Sequence, residues 1–141
     1  MMRGKCLCGG VQFEVRDPPR KLYQCHCSLC RKQSGAASNA AFIVRGEQLT
    51  WLAGQALVSS YVKPTGFRSD FCRNCGSPVP NPLRSTSYVW VPVGLFEEPT
   101  KLSIAMHLFV GSKASWEPTP GTGTLHEEMP EFRELWKGLH A

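Results

Sequence analysis

Apolar and polar residues alternate along several short stretches of this chain. In residues 10–16, the side chains of Val11, Phe13 and Val15 fall on one face, which predicts a half-buried β-strand. Residues 42–44 and 49–52 flank a polar turn and predict a hairpin. The other predicted strands are residues 57–62, 88–91 and 102–110. Roughly seven or eight short strands without a long helix indicate an all-β, sandwich-like fold.

Turn-forming residues separate these strands. The chain has 13 glycines and 11 prolines, which is typical of short elements joined by turns. Pro78, Pro80 and Pro82 predict irregular backbone up to residue 88, because proline lacks the N–H that a strand or helix uses. Residues 31–35 and 111–124 are predicted to be loops.

The C-terminal segment has a different period. After Pro130, four apolar residues recur at positions i, i+3, i+4 and i+7, so one face of a short helix is apolar. They are Phe132, Leu135, Trp136 and Leu139. This face is predicted to pack on the rest of the domain, with binding of a partner protein as the alternative.

The length of 141 residues fits one domain, with a core of about residues 3–116 and a tail of residues 117–141. The chain has no apolar run of the roughly 18–20 residues that a membrane span needs. No apolar stretch of signal-peptide length precedes Cys6. We therefore expect a cytoplasmic protein without a membrane partner. The patterns give no oligomeric state.

All seven cysteines lie in short-spaced clusters. They are Cys6, Cys8, Cys25, Cys27, Cys30, Cys72 and Cys75. An odd number of cysteines in a reducing compartment favours metal binding or catalysis over a disulfide framework. The formal charge of +5 falls to +2 if all seven are thiolates around two Zn²⁺ ions. With its basic residues scattered, the chain is not expected to bind nucleic acid.

Four of these cysteines are predicted to close one zinc site. Cys6 and Cys8 form a C-x-C pair, whose side chains share one face of an extended segment. Cys72 and Cys75 form a C-x-x-C pair followed by Gly76, which suits the sharp turn that brings both thiols to one metal. A closed shell of four thiolates is a structural zinc site.

The remaining three, Cys25, Cys27 and Cys30, combine both spacings and predict a second zinc with one open position, the arrangement of a catalytic zinc. A fourth ligand could instead close the site. His107 is the better candidate, because His26 points away from the face that carries Cys25 and Cys27. An iron–sulfur cluster is a further alternative. Three thiolates make the metal a weak Lewis acid for water, so a soft thiolate is the favoured fourth ligand.

With these motifs, the sequence resembles the glutathione-dependent formaldehyde-activating enzyme family, whose domain is shared with centromere protein V. The matching residues are Cys6-Leu7-Cys8-Gly9, residues 25–31 with Ser34-Gly35, residues 71–76, and more weakly residues 107–113, Trp116 and residues 129–132. The resemblance implies a zinc-bound β-tent fold. It also implies a structural zinc on the outer four cysteines, a catalytic zinc on the central three, and carbon–sulfur lyase chemistry on a thiol and an aldehyde.

The leading hypothesis is therefore a zinc-dependent carbon–sulfur lyase that forms or splits an S-hydroxymethyl-type adduct of a small thiol, with glutathione as one candidate. It would hold two zinc ions per chain, and the ion at the open site would be the labile one. Candidates for the base are His26, His107 and Tyr23, and Lys113, Arg31 and Arg68 are candidates for holding a substrate carboxylate. The alternatives are a non-catalytic binding module that acts through protein contacts and a site that carries or senses zinc or thiols.

Overall fold

The computed structural model describes residues 1–97 and 101–141. These residues form eleven strands and two short α-helices. The strands are β1 (Met2–Lys5), β2 (Gln12–Val15), β3 (Lys21–Cys25), β4 (Asn39–Arg45), β5 (Leu49–Ala53), β6 (Val58–Val62), β7 (Arg68–Cys72), β8 (Asn81–Pro82), β9 (Tyr88–Pro92), β10 (Ser103–Leu108) and β11 (Thr124–Leu125). The helices are α1 (Ser28–Ser34) and α2 (Phe132–His140). The predicted all-β class with a short C-terminal helix is confirmed.

The chain divides into two compact units. The first comprises Met1–Pro18 and Ile43–Thr100, and the second comprises Pro19–Phe42 and Lys101–Ala141. Within the described residues, no helix is both long and apolar enough to cross a bilayer.

The first unit contains an antiparallel three-stranded sheet in the order β1-β2-β5. Val11, Phe13 and Val15 are fully buried, as their alternation predicts. The ring of Phe13 meets Trp51 and Phe96 edge-on, with ring centroids 6.2 and 5.7 Å apart. The predicted strand at residues 57–62 is confirmed as β6, which pairs with β7 in an antiparallel hairpin ending at Cys72.

The second unit is built around β10, which runs parallel to both β3 and β11. The first residues of β4 pair antiparallel with the end of β3, so that Asn39 lies opposite Cys25. Helix α2 packs on β3 and β10 through the buried Leu135 and Leu139. The predicted packing of its apolar face is therefore confirmed for these two residues.

Three local predictions are wrong. Residues 42–52 do not form a hairpin: β4 pairs with β3 and β5 pairs with β2. Residues 31–35, predicted as a loop, belong to helix α1 and its C-cap, Gly35. The proline-rich segment contains the two-residue strand β8, because Pro82 can pair with Val89 at the end of a short ladder.

Candidate metal centres

Two similar turns bring four thiols together in the first unit. After β1, the N–H of Gly9 donates to the carbonyl of Cys6 at 3.0 Å. After β7, the N–H of Gly76 donates to the carbonyl of Cys72 at 2.7 Å. Both glycines have a φ of 79°, in the left-handed region that favours glycine. Each turn points two cysteine side chains toward the other turn.

The four sulfur atoms have the spacing of a metal site. The Sγ atoms of Cys6 and Cys8 are 3.6 Å apart, and those of Cys8 and Cys72 are 3.8 Å apart. All four Sγ atoms, including that of Cys75, lie within 4.8 Å of one another. Zinc–sulfur bonds of about 2.3 Å in a tetrahedron place sulfurs about 3.8 Å apart. The four thiols therefore fit one tetrahedral metal ion.

Hydrogen bonds favour the thiolate form at Cys6 and Cys75, whereas at Cys8 the N–H of residue 10 lowers the pKa but contacts with the other three thiols raise it to about 11. Backbone N–H groups donate to Cys6 Sγ from Val11 at 3.2 Å and to Cys8 Sγ from residue 10 at 3.4 Å. The Ser77 hydroxyl lies 3.4 Å from Cys75 Sγ and lowers the pKa of that thiol to about 5. The same hydroxyl accepts the N–H of Leu7 at 2.9 Å. Ser77 thereby joins the two cysteine turns.

The other three thiols lie together in the second unit, where β3 leads into α1. Cys25 ends β3, Cys27 is the N-cap of α1, and Cys30 lies in its first turn. The cap is made by the thiol itself, because Cys27 Sγ accepts the N–H of Cys30 at 3.4 Å. The three Sγ atoms lie within 4.8 Å of one another, with Cys25 and Cys30 buried and Cys27 half-buried. This group fits three ligands of one metal.

The shared hydrogen bonds place the negative charge of this group on one sulfur. Hydrogen bonds from Cys25 and Cys30 lower the pKa of Cys27 to about 2. The same contact with Cys27 raises the pKa of Cys25 to about 12, and contacts with Cys25 and Cys27 raise the pKa of Cys30. Without a metal, negative charge in this group is therefore favoured at Cys27, and the other two thiols would lose their protons when a metal binds.

Both candidate histidines are occupied in a buried hydrogen-bonded chain. His107 Nε2 donates to the carbonyl of Thr122 at 2.7 Å, since that oxygen can only accept. His107 Nδ1 lies 2.9 Å from His26 Nε2, and His26 Nδ1 lies 3.3 Å from Glu117 Oε2. Burial lowers the pKa of His107, which keeps the ring neutral and its Nδ1 an acceptor.

These contacts bear on two hypotheses from the sequence, namely that a histidine is the fourth metal ligand and that a histidine is the base. His107 lies outside the group of sulfurs around Cys25, and both of its nitrogens are hydrogen-bonded. Each ring nitrogen of His107 and His26 already has a hydrogen-bond partner, so neither offers a free nitrogen as a fourth metal ligand, and a role as base would require one of these hydrogen bonds to break. In this arrangement, the three thiols stand without a histidine ligand among the described residues.

The other candidates are dispersed. Tyr23 is buried on β3. Lys113 Nζ donates to the backbone carbonyl of Glu117 at 2.8 Å. Arg68 Nε donates to the buried carboxylate of Asp70 at 2.8 Å, in the first unit, which makes it an ion-pair partner. Arg31 follows Cys30 directly, and its Nε is buried without a partner in the described structure.

Sequence reasoning missed Glu117, the acidic end of the histidine chain. The residue is 91 positions from His26, and a single glutamate in a predicted loop gives no pattern. It also missed Asn39, which lies opposite Cys25 and donates from Nδ2 to Gln33 Oε1 at 2.9 Å. Both depend on chain pairings that local periodicity does not specify.

Sequence comparison finds a curated relative of this chain. A protein of Halomonas elongata, provisionally named a glutathione-dependent formaldehyde-activating enzyme, is 34% identical over an alignment 86 residues long. The alignment covers 55% of this chain and 53% of the relative. The matched part thus spans about half the length of that curated relative.

A structural comparison finds a solved protein of similar fold. The crystal structure of a Rhodobacter sphaeroides protein, a structural genomics target, superposes with a TM-score of 0.56 and 28% identity. The superposition covers 70% of this chain and 91% of that structure. The sequence profile described as "Glutathione-dependent formaldehyde-activating enzyme" matches residues 1–112, which include all seven cysteines. The chain therefore belongs to the glutathione-dependent formaldehyde-activating enzyme family.

Proposed function

We propose that this protein is a zinc-dependent carbon–sulfur lyase that joins or splits a small thiol and an aldehyde. The observation that carries the proposal is the division of seven thiols into a group of four and a separate group of three. Four thiolates complete a tetrahedral shell, whereas three leave one position for an exogenous ligand. Membership of a family named for glutathione and formaldehyde supports a thiol and an aldehyde as that chemistry.

The two groups would have different tasks. Cys6, Cys8, Cys72 and Cys75 would hold a structural zinc that joins residues far apart in the sequence. Cys25, Cys27 and Cys30 would hold a catalytic zinc, which when bound would take up the substrate sulfur and stabilise it as a thiolate. The donor set is soft sulfur in both groups, which favours zinc over magnesium or calcium.

The residues around the three thiols supply the rest of the environment. The lowered pKa of Cys27 provides one thiolate ligand before any metal binds. The burial of Cys25 and Cys30 keeps water away from two of the sulfurs. With three anionic ligands, the centre gives little help in ionising water, so addition of a thiol is favoured over hydrolysis.

The proposed reaction needs no oxidant or reductant. In the joining direction, the thiol sulfur forms a bond to the aldehyde carbon, the carbonyl π bond breaks, and the thiol proton ends on the new hydroxyl oxygen. In the splitting direction, the hydroxyl proton leaves, the carbonyl re-forms, and the carbon–sulfur bonding pair returns to the sulfur. We further propose a cytoplasmic location, because metal-binding thiols of this kind must stay reduced.

Exchange NMR tests the proposal. Glutathione mixed with formaldehyde interconverts spontaneously with its S-hydroxymethyl adduct, and magnetisation transfer gives the rate of exchange. We expect the protein to accelerate this exchange, and we expect the variant Cys27→Ser/Cys30→Ser to lose the acceleration while its circular dichroism stays unchanged. If no thiol from a panel of common small thiols exchanges faster than it does spontaneously, the non-catalytic binding module replaces the lyase.

A further inference from the structure

The segment that carries Cys25 and Cys27 is held from behind by the residue between them. His26 is fully buried, and its backbone N–H donates to the carbonyl of Leu108 at 2.9 Å. Its ring is held at both nitrogens, by His107 and by Glu117. The backbone and the side chain of His26 are therefore both fixed by residues that follow β10 or belong to it.

The side chain of His26 lies away from the sulfurs. Cys25 belongs to a strand, and Cys27 is extended, with φ −66° and ψ 158°. In extended backbone, alternate side chains point to opposite sides, so Cys25 and Cys27 share a side that His26 does not. The histidine chain thus does not compete for the metal, but it fixes the backbone from which two sulfurs project.

Glu117, the acidic end of this hydrogen-bonded chain of side chains, is itself held in place. Phe109 has φ 57° and ψ 42°, a left-handed conformation that is uncommon for a bulky residue. A 3₁₀ turn follows at Val110–Ser112. The N–H of Glu117 then donates to the carbonyl of Ala114 at 3.1 Å, and Lys113 Nζ donates to the carbonyl of Glu117. A folded turn therefore delivers the Glu117 carboxylate to His26, with only 17% of that side chain exposed.

We propose that Glu117 and His107 are positioning residues for the three-cysteine centre. Through His26, they hold Cys25 and Cys27 in the geometry that the metal needs, although neither residue touches the sulfurs. This inference rests on the proposed metal at that centre. Removing groups that hydrogen-bond around the ligands of a metal site lowers metal affinity about 10–100-fold, so an effect of that size is expected here.

The four-cysteine group provides an internal control for the test. The metal-free protein is titrated with Co²⁺ in the presence of a competing chelator, and the sulfur-to-cobalt absorption reports the filling of each group. Glu117→Ala leaves His26 Nδ1 buried without its partner, so we expect the affinity of the three-cysteine group to fall about tenfold or more. The affinity of the four-cysteine group should not change.

Two further variants separate positioning from general destabilisation. Glu117→Gln keeps a side-chain amide that can either accept from or donate to His26 Nδ1, so it should recover most of the lost affinity. Glu128→Ala removes an exposed glutamate in the same unit and should bind both metals like the wild type.

The outcomes distinguish the positioning role from the proposed function. If the wild type binds two Co²⁺ ions and Glu117→Ala binds both equally well, the positioning role is refuted while the lyase proposal stands. An equal loss of affinity at both groups would also refute it, because the residue would then act on the fold as a whole. If the wild type binds metal at the four-cysteine group alone, the lyase proposal fails and the positioning role fails with it.

Discussion

Removing the four-cysteine metal site should destabilise the protein more than removing the three-cysteine metal site. The variant Cys72→Ser/Cys75→Ser deletes half of the four-cysteine group, and Cys27→Ser/Cys30→Ser deletes most of the three-cysteine group. Each variant loses one buried and one half-buried thiol, so the packing costs are matched. Serine at position 27 also keeps an N-cap for α1.

The expected difference follows from the loops that the two metals close. The four-cysteine group joins Cys8 to Cys72, which are 64 residues apart. Treated as a cross-link, such a loop lowers the entropy of the unfolded chain by an amount worth about 4 kcal/mol at 25 °C. The three-cysteine group joins Cys25 to Cys30, and the same relation for that short loop gives about 2 kcal/mol. The difference in unfolding free energy is about 2 kcal/mol.

Urea unfolding followed by circular dichroism, with zinc counted in each sample, measures this difference. We expect the unfolding free energy of Cys72→Ser/Cys75→Ser to lie about 2 kcal/mol below that of Cys27→Ser/Cys30→Ser, and each variant to retain one zinc. Equal stabilities would show that the loop argument is wrong. A larger loss in Cys27→Ser/Cys30→Ser would also contradict the assignment of the structural site to the outer cysteines.

Three more predictions concern single residues. Gly54→Ala should lower the unfolding free energy, measured in urea, by at least about 2 kcal/mol, because φ is 75° and a Cβ there would overlap a backbone carbonyl. Gly35→Ala, at φ 68° with open space around it, should lower the unfolding free energy by about 1 kcal/mol. Leu139→Ala on α2 should lower the unfolding free energy by about 2–5 kcal/mol, and replacement of the exposed Phe132 by alanine should lower it by less than about 1 kcal/mol. Equally small losses for both variants would mean that α2 does not stabilise the fold. In the metal-free protein at pH 7, iodoacetamide should label Cys27 before the other two thiols of its group, because its pKa is about 2 and theirs are raised. Mass spectrometry that found uniform labelling of the three would contradict the placement of the charge.

The local part of the fold was readable from the sequence. The alternation of Val11, Phe13 and Val15 identified β2, because a half-buried strand needs that period and nothing else in the segment competes with it. The four apolar positions after residue 130 identified α2 in the same way, and Leu135 and Leu139 are its buried members. Such patterns record which side of an element is buried.

The sequence did not predict which strands pair with one another. The turn after β4 is a 3₁₀ turn at Gly46–Gln48, and the strand that leaves it pairs with β2 instead of returning along β4. Helix α1 was missed because seven residues are too few for an apolar period, and its ends are fixed by the Cys27 thiol and by Gly35. Short elements of this kind depend on their caps, which a periodicity argument does not see.

The sequence predicted part of the arrangement of the cysteine groups. The spacing within each pair is local, so the sequence suggested which thiols are neighbours, and the structure groups the seven thiols as four and three. The identity of the metal and the roles of the two groups stay predictions. The chain from Glu117 to His26 and His107 was not foreseen as a unit, because it joins residues that are 81 and 91 positions apart.

X-ray absorption at the zinc edge tests the proposed open centre most directly. Seven sulfur ligands shared between two zinc ions average 3.5 sulfurs per zinc, and a thiol bound at the open position raises the average to 4. We therefore expect the zinc-loaded protein to show about 3.5 sulfurs per zinc alone and about 4 after addition of a small thiol such as glutathione. An average of 4 without thiol, or no change when thiol is added, would contradict the open, thiol-binding zinc.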